Sequence, residues 1–192
     1  MIIIRNDDVL LSSSRAEYSN AFERFKHVHE VICRSDRFLH VPAILTEEIQ
    51  EFPEAIAYIQ QETAQGRMKP QLHGLRHIDY GQLSEEEVSE HLLYSCGWFI
   101  DNLGYLPTKW YTPWGANQPH LHSAAEGFNM KAIDCSNTIK FKGRYGVTQL
   151  LSEGKEVSYF DKQEIIMHWW SALDVERLTL LVDKANEVRT TD

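Results

Sequence analysis

An α/β fold with a parallel sheet is predicted for this 192-residue chain by three observations. Short apolar runs alternate with amphipathic stretches of helical period, and parallel strands need such crossovers to connect them. The helical stretches carry recognisable start and stop signals. Polar residues of the kinds that do chemistry recur where the apolar runs end.

Ile2, Ile3 and Ile4 begin a first strand that runs out at Arg5-Asn6-Asp7-Asp8. Ser14-Arg15-Ala16-Glu17 has the form of a capping box, opening a helix with Tyr18, Phe22, Phe25, Val28 and Ile32 on one face. Val41 to Leu45 reads as a second buried strand, followed by Pro53 in a first helical turn and Gly66 as a stop. Met68 to Leu72 forms a third strand leading into His73-Gly74-Leu75-Arg76-His77. A second capping box, Ser84-Glu85-Glu86-Glu87, starts a helix that buries Val88, Leu92, Cys96, Phe99 and Leu103 and closes at Gly104.

Lys109 to Tyr111, Lys131 to Ile133 and Ile165 to Met167 are further strands, with helices starting near Pro119 and Asp174. Residues 139 to 164, with Gly143, Gly146 and Gly154, follow no clean period and read as a hairpin or an excursion over the site. With no repeat, low-complexity tract or linker, one domain over residues 1–192 is expected, a length that supports one substantial core.

Composition narrows the function. At 43% hydrophobic and 24% charged residues, without a run of about 18 apolar residues, the chain reads as globular with no membrane span. Met1 leads straight into the first strand with no signal-peptide pattern, so the expected location is the cytoplasm. A net charge of −9 excludes a broad phosphate-binding face and with it a nucleic-acid partner. Cys33, Cys96 and Cys135 lack a Cys-x-x-Cys pair and read as buried free thiols.

Asp7, Asp8, His73, His77, Pro113-Trp114-Gly115, Asp134 and His168 all fall at or just past predicted strand ends. In parallel α/β folds the C-terminal edge of the sheet hosts the active site, so these segments converge. Neighbouring Asp7 and Asp8 point in different directions on extended backbone, which suits one to a metal and the other to a proton. His73 and His77, four apart, reach one metal ion if their segment makes a helical turn. His27 with His29 and His120 with His122 read as helix-surface or loop residues. His168, beside Trp169 and Trp170, suits a general acid on a hydrophobic wall. Two histidines and one carboxylate also describe non-haem iron oxygenases, whose scaffold is β-rich rather than α/β.

The ordered set resembles the polysaccharide deacetylase family, also called the NodB homology fold or carbohydrate esterase family 4. Arg5-Asn6-Asp7-Asp8-Val9 is similar to that family's Thr-Phe-Asp-Asp-Gly, and His73-Gly74-Leu75-Arg76-His77 to its His-Ser/Thr-x-x-His. The stretch through Trp114-Gly115 resembles its Arg-x-Pro-Tyr-Gly segment, and Ile166-Met167-His168 its closing Leu-x-His. The resemblance implies a deformed (β/α) barrel and a metal-dependent hydrolase that removes an N-acyl group, N-acetyl foremost, from a sugar, sugar nucleotide or glycan.

It implies Asp7 as general base, His168 as general acid, and Asp8, His73 and His77 as ligands of one divalent ion, zinc foremost. Tyr111 and Trp114 are placed at the substrate, and Asp134 is the residue matching the carboxylate that supports His168. Tyr111 stands where the family has an arginine bracing the base, so either another cation, Arg5 or Arg76, takes that place or Asp7 is less well tuned. The alternative function is a metal-containing carbohydrate-binding relative without turnover.

Overall fold

The computed structural model describes residues 1–9, 20–136, 138–141, 146–161 and 163–187. Seven strands form one sheet: β1 (Ile2–Val9), β2 (Phe38–Leu45), β3 (Gln71–Gly74), β4 (Lys109–Tyr111), β5 (Lys131–Ile133), β6 (Ile139–Lys140) and β7 (Glu164–His168). Their order is β5-β4-β3-β2-β1-β7-β6 and every pairing is parallel. The sheet curls into a half-barrel, open between β5 and β6. Outside it lie α1 (Ala21–Ile32), α2 (Pro53–Ala64), α3 (Glu85–Leu103), α4 (Pro119–Gly127), α5 (Val147–Ser152) and α6 (Ala172–Glu187). The deformed α/β barrel expected from the sequence is therefore present.

Strand β1 lies between β2 and β7. Its register runs from Ile2 opposite Phe38 to Asn6 opposite Pro42 on one side, and brings Asp7 opposite His168 on the other. Successive strand residues face opposite sides, and two cores result. Ile3 packs inside the curl with Leu39, Val41, Ala43, Tyr111 and Ile133. Ile2 and Ile4 pack outwards into a larger cluster with Phe25, Val28, Phe99 and Leu178 from the helices.

Helix α3 follows the sequence closely. Ser84 and Glu87 form the reciprocal capping box, and Gly104 ends the helix at φ 75°, where an L side chain is disfavoured. Other elements differ for identifiable reasons. β2 begins at Phe38, three residues before Val41, because β1 offers it partners from Ile2 onwards. β3 begins at Gln71; Pro70 lacks the N–H that a strand needs, and Met68 makes one isolated bridge to His40. Residues 139–164 contain no hairpin among the described residues, since β6 runs parallel to β7. The Ser14 to Glu17 capping box, Tyr18 and Gly143 lie outside the described residues. Cys33 is exposed rather than buried, while Cys96 is buried and Cys135 half-buried.

His29 was expected at the helix surface, yet it is buried with His40 and Glu62 in a polar inclusion beneath α1 and α2. His40 is enclosed by Asn6 of β1 and by Phe25 and His29 of α1, with Glu62 and Tyr58 of α2 against His29. Burial drives the His40 pKa well below 6.5, and His29 adds to the effect. An unfolded chain takes up a proton there near pH 6.5 and the folded chain refuses it. This contribution to stability is complete above that pH and declines as pH falls below it. Between pH 7 and 5.5, wild type should lose about 1 kcal/mol more unfolding free energy than His40→Gln. Urea titrations at the two pH values measure that difference, and equal losses would contradict it.

Candidate active site

At its C-terminal end β1 leaves extended conformation: Asp8 has φ 55°. A left-handed non-glycine residue costs about 1 kcal/mol or more. The surroundings hold it there, because the Trp169 indole N–H donates to the Asp8 carbonyl oxygen at 2.5 Å. The turn carries the Asp8 carboxylate to two imidazoles, with Oδ1 at 3.1 Å from His73 Nε2 and 3.0 Å from His77 Nε2. Burial pushes the Asp8 carboxyl up, but hydrogen bonding to His73 and His77 outweighs this and holds it well below the usual carboxylate range.

His73 sits in β3 and His77 in the bend after it, so the expected helical turn is absent. Gly74 lies between them at φ 154°, and a Cβ there would stand 2.8 Å from the Tyr80 hydroxyl oxygen. That hydroxyl accepts from the Leu75 backbone N–H, which fixes the bend. The glycine in place of a hydroxyl residue thus makes room for Tyr80.

Among the described residues, Asp8, His73 and His77 form the group whose potential metal-ligating atoms all lie within 4.8 Å of one another. The donor chemistry fits a divalent ion. His73 Nδ1–H donates to the Tyr111 carbonyl oxygen at 2.6 Å, which makes Nε2 the ring nitrogen that a metal ion would use. Two imidazole nitrogens and one carboxylate would hold a divalent ion with coordination positions to spare.

Asp7 faces inside the curl and is braced by the residue two before it. Arg5 Nε and Nη2 donate to the two Asp7 carboxylate oxygens at 2.6 and 2.7 Å, and both side chains are buried. The Arg5 guanidinium stacks 4.0 Å from the centre of the Tyr111 ring. Tyr111 in turn donates its hydroxyl to Glu164 at 3.0 Å, and Lys109 donates to the same carboxylate. Arg76 is engaged elsewhere, forking Glu47. Of the two candidate cations, Arg5 stands at Asp7. Tyr111, placed at the substrate from sequence, is fully buried behind Arg5 and does not line the cavity.

His168 ends β7 beside Asp7. Its Nε2 lies 3.9 Å from Asp8 Oδ2, and its Nδ1 lies 3.6 Å from Asp174 Oδ2. Burial lowers the His168 pKa, but the ion pair with Asp174 and the nearby Asp8 and Asp7 outweigh it, so the net shift is upward. The carboxylate beside His168 is thus Asp174, in the first turn of α6, which also accepts the His168 backbone N–H. Asp134 instead accepts from the Ser136 backbone and hydroxyl and lines a separate groove.

Asp7, Asp8, His73, His77 and His168 meet in an open cavity of about 820 Å³, lined also by Glu48, Trp114 and Trp170. Trp114, at φ 58°, is 74% exposed and leans on the His77 ring at 5.0 Å. Sequence reading missed Asp174 and Glu48. Asp174 read as an ordinary acidic residue near a helix start, and Glu48, which accepts the His77 backbone N–H, carried no signal.

No family model and no curated protein matches the chain. Solved structures do. A family 4 carbohydrate esterase from Streptomyces lividans, in complex with acetate, superposes with a TM-score of 0.66 at 11% identity, over 97% of this chain and 88% of that one. The peptidoglycan deacetylase PdaC from Bacillus subtilis gives 0.65 at 14% identity, over 97% and 84%. A family 4 carbohydrate-esterase pseudoenzyme from Bacillus anthracis gives 0.66 at 13% identity; the match covers 97% of this chain but 61% of that protein. The fold is the one these proteins share.

Removing the buried fork should be costly. Arg5→Ala strands the Asp7 carboxylate and should lower unfolding free energy by about 3–5 kcal/mol. The Arg5→Ala/Asp7→Ala pair should lose clearly less than the two single losses combined. Additive losses in denaturant titrations would show that the two side chains do not work as a unit.

Proposed function

We propose that this chain is a metal-dependent hydrolase that removes an N-acyl group, N-acetyl foremost, from a sugar-containing substrate. The observation that carries the reading is the convergence of Asp8, His73 and His77 around one point, with Asp7 and His168 flanking it at one end of the sheet. Structural neighbours support it: a carbohydrate esterase in complex with acetate, a peptidoglycan deacetylase, and a further deacetylase with substrate.

Asp8, His73 and His77 would hold the ion, zinc foremost. When bound, a divalent ion supplies a Lewis acid that polarises the acyl carbonyl and acidifies water. Asp7 receives the proton of the attacking water: Arg5 takes one lone pair from each of its oxygens and leaves others to accept. The water oxygen bonds to the acyl carbon, and the carbon–nitrogen bond breaks. His168, held by Asp174 and raised in pKa, gives its proton to the departing nitrogen. The products are a free amine and a small carboxylic acid.

The open cavity, about 820 Å³ with the exposed face of Trp114 at its mouth, suits a sugar ring stacked on indole. Nucleotide-linked or lipid-linked sugars and short glycans are the substrates to try first. A second reading, a carbohydrate-binding relative without turnover, draws on the pseudoenzyme among the neighbours and on Tyr111 in the place of an arginine. The Arg5 fork weighs against it, since a brace for the base is present.

Elemental analysis should find one metal ion per chain in wild type and none in His73→Ala/His77→Ala. A panel of N-acylated sugars should release acetate or formate only with metal present. Asp7→Asn and His168→Gln should keep the metal and lose about 10²–10⁴-fold in kcat. Sugar affinity without acid release would favour the binding relative. Wild type without metal after reconstitution would overturn both readings.

A further inference from the structure

Behind the site runs a hydrogen-bonded chain that the reaction above does not use. Arg67 forks Glu62 at 2.5 and 2.7 Å, and Glu62 Oε2 lies 2.9 Å from His29 Nε2. His29 Nδ1 lies 3.0 Å from His40 Nδ1, and His40 Nε2 lies 3.4 Å from Asn6 Nδ2. Asn6 Oδ1 accepts the Trp169 backbone N–H at 3.0 Å, and the Trp169 indole donates to the Asp8 carbonyl. The Cys33 thiol lies 3.3 Å from His29 Nε2, at the edge of the chain.

Chemistry fixes the direction of every link. Glu62, paired with Arg67 and held below the usual range chiefly by it, can only accept, so His29 carries its hydrogen on Nε2. Burial lowers the pKa of both histidines and favours their neutral rings. His29 Nδ1 is then a lone pair and His40 Nδ1 must donate to it. His40 Nε2 becomes the acceptor, which turns the Asn6 amide nitrogen towards it. The Trp169 N–H independently demands the Asn6 oxygen on the other side. Both ends of the chain therefore require the same set of tautomers.

We propose that Asn6 and His40 are positioning residues for the Asp8, His73 and His77 centre, anchoring Trp169 so that its indole holds Asp8 in the left-handed turn that aims its carboxylate. Asn6 lies on the helix side of β1 and Trp169 directly follows His168, so one anchor ties the two strand ends that carry Asp8 and His168. The proposal rests on the metal-centre reading for its consequence, and on Trp169 for its structural content.

The test uses the full chain as wild type, Asn6→Leu, His40→Leu and His40→Gln, the last offering both a donor and an acceptor in place of the imidazole. Cobalt(II) alone is titrated and followed by its visible absorption. Hydrogen exchange at the Trp169 indole and backbone N–H is followed by NMR on metal-free protein. Asn6→Leu and His40→Leu should bind cobalt(II) at least about tenfold more weakly, as loss of an outer support does. Both should exchange faster at Trp169, and His40→Gln should recover most of both losses.

Wild-type affinity and exchange in a folded leucine variant would overturn the proposal, as would a glutamine variant no better than leucine. If His40→Leu does not fold, Asn6→Leu decides by the same criteria. If wild type takes up no cobalt(II), the metal-centre reading falls. The Trp169 exchange then decides alone: faster in the variants upholds the anchor, and unchanged exchange removes it.

Discussion

The two-sidedness of one buried strand organises the whole site. β1 lies between β2 and β7 in the sheet, so each of its side chains must face either the inside of the curl or the helices. Arg5 and Asp7 share the inner face and can meet over two residues, while Asn6 between them faces the helix layer. The alternation stops at Asp8, whose left-handed backbone brings its carboxylate to His73 and His77. Pairing with β7 sets His168 beside Asp7 without any dedicated loop.

The inner face carries charged side chains, and its stability depends on pairing them. Burial opposes the charge on Arg5, yet Asp7 more than restores it and leaves the guanidinium pKa raised. Tyr111 is buried strongly enough that its phenol stays protonated and can serve as a neutral link between Arg5 and Glu164. Lys109 closes the series from β4. The row thus pairs Arg5 with Asp7 and Lys109 with Glu164, with the neutral Tyr111 ring between the two pairs.

Much of this was legible in the sequence, because it depends on local rules. The capping box at Ser84 and the glycine at 104 mark the ends of α3 by chemistry confined to a few neighbouring residues. Asp7, Asp8, His73, His77, Trp114 and His168 could be grouped because strand ends in a parallel sheet share an edge. Tyr111 misled because its partners, Arg5 and Glu164, are 106 and 53 positions away, and only the assembled curl shows that it points inwards. Asp134 misled in the same way: its nearest partner is Ser136, and the carboxylate that reaches His168 begins the following helix. His29 reads from its spacing to His27 as a helix-surface or loop residue, whereas a buried Glu62 from another helix gives it a reason to be inside.

Placing the brace of Asp7 within its own strand has a consequence for how such a protein can change over generations. Asp7 and its brace travel together in a three-residue piece, Arg5 to Asp7, that no insertion in a surface loop can separate. The segment after β4, Thr112 to Gly115, needs to supply no arginine to Asp7. The exposed Trp114 side chain can then be exchanged for another at the mouth of the cavity while the Arg5–Asp7 pair behind it stays as it is.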